Sequence, residues 1–277
     1  MTTDTQFTGR VALVTGGASG IGRALGAALV RRGALVVLAD VDDAAAKDTA
    51  QEIGTGATSA GLDVRDAEAF AQLVAEVADE HGRLDLLFNN AGIGMGGEVA
   101  ELTLAHWDRA IDVNLRGVVH GVAAAYPRMI RQGSGHIVNT ASLAGLIPSP
   151  MLTPYAATKH AVVGLSTSLR GEAARHGVRV SAVCPGIIAT PIWDKGNPDD
   201  LGDTPSLRAG LEAAKSSILR RAYPPESLAE DVLDGVARNR PLILAPSHAR
   251  TAWRIYRLAP RLLADGGSTM VRRVLGG

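Results

Sequence analysis

The apolar residues of this chain gather in short continuous runs instead of alternating with polar ones. Seven such runs predict β-strands over residues 10–15, 34–40, 57–62, 84–88, 136–140, 178–184 and 241–245. A strand that is apolar along its whole length is typical of a parallel sheet whose two faces are both covered. The runs therefore predict a sheet that lies inside the protein.

The segments between these runs carry apolar residues at helical spacing. They predict helices over residues 23–32, 43–53, 66–81, 104–131, 154–176 and 226–238. Strands that alternate with helices form a parallel sheet with helices on both faces, so we expect an α/β fold. Residues 186–223 are irregular and rich in proline, glycine and aspartate, which is typical of a substrate lid. We see no linker and expect residues 1–277 to form a single domain.

Composition narrows the classes of function. The 28 basic and 28 acidic residues balance, which argues against a nucleic-acid partner. The single cysteine, Cys184, rules out an internal disulfide. The amino-terminal residues are polar and no apolar run is long enough to span a bilayer, so we expect a cytoplasmic protein. None of the seven histidines forms a His-x-x-x-His pair, and we expect no catalytic metal.

A glycine-rich turn follows the first predicted strand and opens a helix. Its Thr-Gly-x-x-x-Gly-x-Gly spacing over residues 15–22 is a variant of the dinucleotide-binding fingerprint. Glycines at such a turn let the backbone approach a pyrophosphate at the helix amino terminus. We therefore expect a dinucleotide to contact Gly16, Ser19, Gly20, Ile21 and Gly22.

Asp40 ends the second predicted strand, roughly twenty residues after the glycines, where a carboxylate can accept hydrogen bonds from the adenosine ribose. That carboxylate would repel a 2′-phosphate, and the residues that follow it are Val41, Asp42 and Asp43 rather than basic ones. The pattern favours NAD over NADP. The alternative interpretation is that Asp40 only caps the next helix.

Tyr155 and Lys159 are four residues apart in a predicted helix and therefore lie on one helical face. A free tyrosine has a pKa of about 10, and a neighbouring ammonium favours the phenolate. The pair could therefore exchange protons with a substrate near neutral pH. Alone, such a pair also occurs by chance on many helices.

With the turn at residues 15–22, the Asn-Asn-Ala-Gly run at residues 89–92, Ser142, Tyr155 and Lys159 in this order, the chain resembles the short-chain dehydrogenase/reductase family. The resemblance covers about residues 8–245. It implies a doubly wound Rossmann-type domain with seven parallel strands in the order 3-2-1-4-5-6-7. It also implies hydride transfer between a nicotinamide and a carbonyl or alcohol.

The resemblance assigns roles to four residues. Tyr155 is implied to be the general acid/base, and Lys159 to lower its pKa and bind the nicotinamide ribose. Ser142 is implied to orient the substrate oxygen, although a turn residue would also fit its position. Asn114 is implied to hold a water in a proton relay, although it could equally be a polar residue inside a helix.

Further cofactor contacts follow from the same resemblance. Asp63 and Val64 are implied to contact adenine, and Asn90, Ala91 and Gly92 to lie beside the ribose and nicotinamide. The nicotinamide carboxamide is implied to be held by Pro185, Gly186, Ile188 and Thr190. Cys184, which precedes this segment, is expected to be a small buried residue rather than a nucleophile.

Three segments should border the substrate, namely residues 93–99, 143–152 and 186–223. Their apolar candidates include Met95, Leu143, Ile147, Leu152, Ile192 and Trp193. The first two segments hold no lysine or arginine, so they offer no clamp for a carboxylate. We expect a neutral, hydrophobic secondary alcohol or its ketone as substrate.

Residues 247–277 depart from the family pattern, because the usual Thr-Gly-x-x-x-x-Val-Asp-Gly-Gly ending is missing. The segment is basic and amphipathic, with a helix predicted to about residue 263. The pattern favours a surface helix packed on its own subunit or on a symmetry mate. The alternative is an interfacial helix that touches an anionic membrane. We expect a homodimer or homotetramer.

Two other functions stay open at this point. An NADP-linked carbonyl reductase would differ from the expected NAD-dependent dehydrogenase only in cofactor preference. A nucleotide sensor of the same fold would have lost the chemistry, but it would not need Asn114, Ser142, Tyr155 and Lys159 together.

Overall fold

The computed structural model describes residues 6–217 and 222–276. They contain a seven-stranded parallel sheet with the order β3-β2-β1-β4-β5-β6-β7. The strands are β1 (Val11–Thr15), β2 (Leu35–Asp40), β3 (Ala57–Gly61), β4 (Leu86–Asn89), β5 (Gly135–Thr140), β6 (Val178–Pro185) and β7 (Leu242–Ala245). The predicted doubly wound fold and strand order are thus confirmed.

Helices cover both faces of this sheet. One face carries α1 (Gly20–Arg31), α2 (Asp43–Ile53) and α9 (Pro225–Ala237), and the other carries α3 (Ala67–His81), α5 (Gly117–Gln132) and α6 (Thr153–Ala173). Apolar side chains of each strand alternate between these two cores: Val14 and Leu38 face the first, whereas Leu13 and Val37 face the second. Burial on both sides explains why the strands are apolar along their whole length.

The strand order reverses between β1 and β4, which both pair with their neighbours in parallel. At such a switch point the connecting segments diverge and leave a cleft at the carboxyl edge of the sheet. The glycine turn, Asp40, Asn90 and Ser142 all follow or end strands at this edge. The topology therefore brings the motifs of the sequence to one side of the molecule.

A chain of buried amides fixes α6 on the sheet. Asn89 donates to Asn139 Oδ1 at 2.9 Å, Asn139 donates to Ser166 Oγ at 3.0 Å, and Ser166 donates to the Val162 carbonyl. Buried polar groups need such partners, and these three bonds hold Asn139 and Ser166 in one arrangement. The other polar atom of Asn89, its buried Oδ1, has no partner among the described residues. The network sets the position of the helix that carries Tyr155 and Lys159.

Three predicted segments differ from the structure. The predicted helix 104–131 is interrupted: α4 (Leu104–Ile111) passes into a π-helical turn at Asp112–Arg116 before α5 begins. A π-turn adds one residue per turn and rotates the side chains that follow. Hydrophobic spacing does not reveal such a local insertion.

The predicted irregular lid and the single carboxyl-terminal helix are the other two. Within residues 186–223, the structure contains α7 (Ile192–Lys195) and α8 (Pro205–Ser217), while residues 218–221 lie outside the described part. The carboxyl-terminal segment forms α10 (Ser247–Leu258) and α11 (Pro260–Leu275), because Pro260 cannot donate the hydrogen bond that would continue α10. Across the described residues, no helix combines the length and apolarity needed to cross a membrane.

Candidate active site

Four predicted side chains converge beneath the carboxyl edge of β4 and β5. Lys159 Nζ lies 5.6 Å from the centre of the Tyr155 ring and donates to the Thr140 carbonyl at 2.9 Å. Ser142 follows β5 and forms a hydrogen bond with the Tyr155 phenol. A β-carbon added at Gly92 would stand 3.0 Å from Asn114 Oδ1 and 3.4 Å from Lys159 Nζ. The side chains of Asn114 and Lys159 therefore both lie beside Gly92, and a larger residue there would crowd the Asn114 amide.

The protein environment shifts both ionisable groups of this cluster. Burial raises the pKa of the Tyr155 phenol, and its hydrogen bond with Ser142 acts in the opposite direction. Burial lowers the pKa of the Lys159 ammonium to about 8, although the nearby Cys184 thiol opposes this shift. Desolvation disfavours the charged form of each group. The sequence predicts that Lys159 lowers the pKa of Tyr155. In the structure, burial is the largest influence on this pKa, and it raises it.

Asn114 owes its place to the π-helical turn. Its amide oxygen accepts from the Ile93 backbone N–H at 2.9 Å, and its amide nitrogen donates to the Ile93 carbonyl at 3.0 Å. This buried amide therefore ties the π-helical turn between α4 and α5 to the loop that follows β4. These two hydrogen bonds also satisfy the polar side chain of Asn114, as expected for the alternative that Asn114 is a polar residue inside a helix.

The glycine turn after β1 packs tightly against neighbouring backbone and side chains at the start of α1. Gly16 and Gly20 have positive φ angles of 68° and 52°. A β-carbon at Gly22 would collide with the Gly16 carbonyl, and one at Gly20 would stand 3.1 Å from Thr190. Ser19 is the exposed N-cap residue, and its side chain makes no capping hydrogen bond. The turn therefore needs glycine and places the loop of Thr190 opposite it.

Asp40 faces this turn rather than capping α2. One carboxylate oxygen accepts from the Ala18 N–H at 3.0 Å and the other from the Asp42 N–H at 3.2 Å. The N-cap of α2 is Asp42, which accepts from Ala45 N at 3.0 Å. The alternative interpretation of Asp40 as the helix cap is therefore wrong. The Asp40 carboxylate instead lies beside the glycine turn at residues 15–22.

The remaining predicted cofactor residues fall into two groups. Ala91 lies against Gly16, and Pro185 with Gly186 ends β6 beside the cleft. Asp63 and Ile188 differ, because Asp63 forms an ion pair with Arg65 at 2.6 Å and the Ile188 side chain is buried in the core. The Val64 side chain is also buried, and its carbonyl contacts His120.

Apolar side chains border the cleft near Tyr155. Leu143, Ile147, Leu152 and Ile192 are partly exposed, whereas Met95 is buried at 1% exposure. Gly96 lies so close to Leu152 and Leu207 that a β-carbon there would be 2.8 Å from Leu207. The side chain of Trp193, the sixth predicted pocket residue, lies outside the described part of the structure.

The model of the short chain dehydrogenase family matches residues 10–201. This match covers the glycine turn, the strand ends and the Tyr155 helix. The chain belongs to the short-chain dehydrogenase/reductase family. The resemblance drawn from the sequence is confirmed.

Known relatives of this family member share about a third of its residues. The probable oxidoreductase EphD of Mycobacterium tuberculosis is 36% identical over 255 residues, which cover 90% of this chain but only 43% of that protein. The oxidoreductase UcpA of Salmonella typhimurium is 36% identical over 81% of this chain and 86% of its own. A family member from Burkholderia phymatum, solved with NAD, is 32% identical with a TM-score of 0.85, covering 92% of this chain and 95% of that one.

Two threonines that were not predicted as site residues hold the cleft of this family member together. Thr15 Oγ1 accepts from the backbone N–H groups of Asn90 and Ala91, both at 3.0 Å, and donates to the Phe88 carbonyl. Thr140 accepts from Lys159 and donates to Asn90 Oδ1 at 3.2 Å. A threonine at the end of a buried strand is the only sequence signal for such a role.

The lid is tied down by a buried asparagine that no motif marks. Asn197 accepts from Gly96 N at 2.9 Å and donates to the Gly96 carbonyl at 3.1 Å and the Gly202 carbonyl at 3.2 Å. A second tie joins Ser206 to Glu101 at 2.6 Å. Together the two ties hold Asn197 and the first turn of α8 against residues 96–101.

We predict that Lys159→Met stabilises the protein at pH 7. The ammonium is 3% exposed, and its pKa falls from 10.5 to about 8 on folding. That shift corresponds to about 3 kcal/mol against folding below pH 8. The lost bond to Thr140 returns about 1 kcal/mol, so we expect unfolding to cost about 2 kcal/mol more.

Thermal unfolding of wild type and Lys159→Met across pH 6 to pH 11 measures this effect. The advantage of the variant should be complete below pH 8 and disappear between the lowered pKa and the usual 10.5. The exposed Lys47→Met is the matched control and should be neutral. A less stable Lys159→Met at pH 7, or an advantage that grows above pH 8, would contradict the prediction.

Proposed function

We propose that this protein is an NAD-dependent oxidoreductase that interconverts a hydrophobic secondary alcohol and its ketone. The convergence of Tyr155, Ser142, Lys159 and Asn114 beside a glycine cradle is the observation that carries the proposal. Residues 1–277 act as one dinucleotide-binding and catalytic domain with residues 186–223 as its lid. A catalytically silent nucleotide sensor is the weaker candidate, since it would not need this cluster.

Tyr155 is the catalytic acid/base in this proposal. Its phenolate accepts the hydroxyl proton of the alcohol during oxidation, and its phenol returns a proton during reduction. Ser142 hydrogen-bonds the same substrate oxygen and the phenol, which orients both. Lys159, held by Thr140, supplies the positive charge that favours the phenolate. Asn114 positions the proton path beside Gly92.

The cradle and the strand ends fit a nicotinamide dinucleotide. Gly16 and Gly20 adopt positive φ angles that turn the backbone into the amino terminus of α1, where helix N–H groups can bind a pyrophosphate, and the Ser19 side chain makes no capping hydrogen bond there. Such a cofactor would supply or accept the hydride at its nicotinamide ring. Pro185, Gly186 and Thr190 are the residues proposed to hold that ring, and the family member from Burkholderia phymatum was solved with NAD.

The preference for NAD rests on Asp40. The Asp40 carboxylate is oriented by two backbone N–H groups, and its remaining lone pairs can accept hydrogen bonds from the ribose hydroxyls. The same charge repels a 2′-phosphate. An NADP-linked reductase is the alternative, and cofactor competition separates the two.

The substrate class rests on the walls of the cleft. Leu143, Ile147, Leu152 and Ile192 offer aliphatic surface, and residues 93–99 and 143–152 contain no cation that could pair with a carboxylate. An apolar pocket with one or two hydrogen-bonding groups selects neutral molecules. A homodimer or homotetramer is the proposed assembly.

Formation of reduced nicotinamide, followed by absorbance, tests the function. Purified protein is mixed with NAD⁺ or NADP⁺ and a panel of apolar secondary alcohols, small hydroxy acids and sugar phosphates. Turnover of the apolar alcohols with NAD⁺ supports the proposal. Faster turnover with NADP⁺ would overturn the interpretation of Asp40, and faster turnover of acids would overturn the substrate class. NAD binding without any turnover would favour the sensor.

We predict that Asn197→Ala raises KM about tenfold with little change in kcat. The buried amide makes three hydrogen bonds that hold the lid on residues 96–101, and their loss opens the lid more often. Steady-state kinetics with the best alcohol of the panel measure it. Asp199→Ala, an exposed change in the same loop, is the control. An unchanged KM would show that closure does not depend on Asn197.

A further inference from the structure

The carboxyl-terminal segment carries most of the charge asymmetry of the chain. Residues 247–277 contain six arginines and one aspartate, a net charge of +5. Because the whole chain is neutral, residues 1–246 carry −5. The six arginines, all exposed, are Arg250, Arg254, Arg257, Arg261, Arg272 and Arg273. Among the described residues, none of them forms an ion pair with a carboxylate.

The inner face of this segment is already used for packing. Trp253 packs on the cluster that includes Leu244, and Ala249 is fully buried. A β-carbon at Gly267 would stand 3.0 Å from Pro150, and α11 also packs against α8 of the lid. This segment therefore packs on its own subunit, as the sequence favours, and the packing buries only one face of its helices.

The outer face carries aliphatic side chains at the elbow between α10 and α11. Leu258 is 87% exposed, Leu262 is 67% exposed and Ile255 is 43% exposed. Arg254, Arg257 and Arg261 alternate with these three residues along the chain. We call Ile255, Leu258, Leu262 and these three arginines the elbow surface. It combines exposed aliphatic groups with cations that form no ion pair with a carboxylate among the described residues, although the Arg257 guanidinium lies 5.2 Å from the centre of the Trp253 ring.

We propose that the elbow surface docks on an anionic lipid bilayer. Aliphatic side chains that project from a basic helix enter the boundary between headgroups and acyl chains, while arginines bind the lipid phosphates. A nucleic-acid partner would explain the arginines but not the leucines. A stable protein interface uses about 20 to 30 residues a side, far more than this surface offers.

Docking there would bring the lid to the membrane. α10 begins beside Gly186, since a β-carbon at Gly186 would stand 3.3 Å from His248 Nε2, and α11 rests on Pro150 and the lid helix α8. The elbow surface therefore belongs to the element that borders the substrate side of the cleft. An apolar alcohol dissolved in the bilayer would reach the site directly. This consequence rests on the proposed function, whereas the docking itself does not.

Co-sedimentation of the full-length protein with vesicles tests the docking without any turnover. Vesicles of phosphatidylcholine alone are compared with vesicles that contain phosphatidylserine, at low and high salt. We expect binding to the anionic vesicles only, weakened by salt. Arg254→Gln with Arg261→Gln should weaken binding on the order of 30-fold. The exposed pair Arg131→Gln with Arg238→Gln makes the same charge change elsewhere and should bind like wild type.

The leucines separate a bilayer from a purely electrostatic partner. Leu258→Ser should weaken vesicle binding about tenfold, whereas Leu104→Ser, 79% exposed on α4, should leave it unchanged. Both variants should keep the unfolding temperature and NAD affinity of wild type. Failure to bind anionic vesicles overturns the proposal. Vesicle binding that Leu258→Ser leaves intact and that duplex DNA competes away would also overturn it. A dimer of this protein that Leu258→Ser dissociates would overturn it as well.

Discussion

Replacing Tyr155 by phenylalanine is expected to lower kcat by about a thousandfold while the affinity for NAD stays within a factor of two. A positioned acid/base contributes about 10²- to 10⁴-fold to such reactions. The change removes only the phenolic oxygen, which faces Ser142, and leaves the ring and the Lys159 contact with Thr140 in place. Steady-state kinetics and calorimetric titration with NAD measure the two effects separately.

Tyr126→Phe is the matched control for this change. Tyr126 lies on α5, and its ring centre is 6.4 Å from that of His176. Tyr126 precedes the strand β5 and His176 precedes β6, whereas Ser142 follows the end of β5. Its loss should leave kcat unchanged. If Tyr155→Phe retained more than about a tenth of wild-type kcat, another group would carry the proton and the proposed role of Tyr155 would be wrong.

Asp40→Asn is expected to lower the ratio of kcat/KM for NAD to that for NADP by about a hundredfold. The variant loses charge-assisted hydrogen bonds to the ribose, worth about 1.5 to 3 kcal/mol, and no longer repels a 2′-phosphate. Full reversal is not expected, because Asp42 and Asp43 remain next to the site. Competition between the two cofactors at a fixed alcohol concentration measures the ratio.

Asp48→Asn removes the same charge from an exposed position on α2, the helix that follows Asp40, and should leave the ratio unchanged. Thermal unfolding of both variants checks that the backbone N–H groups of Ala18 and Asp42 tolerate the amide. A wild-type enzyme that already prefers NADP, or an Asp40→Asn variant with an unchanged ratio, would contradict the assignment. An equal loss with both cofactors would indicate a damaged turn instead.

The sheet could be predicted from the sequence because its strands are buried on both faces, which leaves an unmistakable apolar run. The helix Asp43–Ile53 begins and ends where the sequence predicts, since Asp42 caps it and Gly54 follows it. The lid could not be predicted in the same way. Its helix α8 depends on packing against α11 and on the tie between Ser206 and Glu101, which are distant in sequence.

The candidate site divides along a similar line. Short motifs bring Tyr155 near Lys159 and Gly16 near Gly22 by local geometry, so spacing alone suggests them. The place of Asn114 depends on a π-turn and on Gly92, and the lid tie depends on Asn197 meeting Gly96 from 101 residues away. Such contacts carry no signal in a single sequence, because neither partner is marked by its neighbours.

The sequence by itself determined the alternation of strands and helices, the glycine turn, the acidic residue after β2 and the tyrosine–lysine pair, since each is a property of residues within a few turns of one another. Only the tertiary structure decided the protonation balance of Tyr155 and Lys159, because burial depends on the whole fold. It also decided that Trp253 faces the core while Leu258 faces solvent. Solvation is a collective property, and no local pattern contains it.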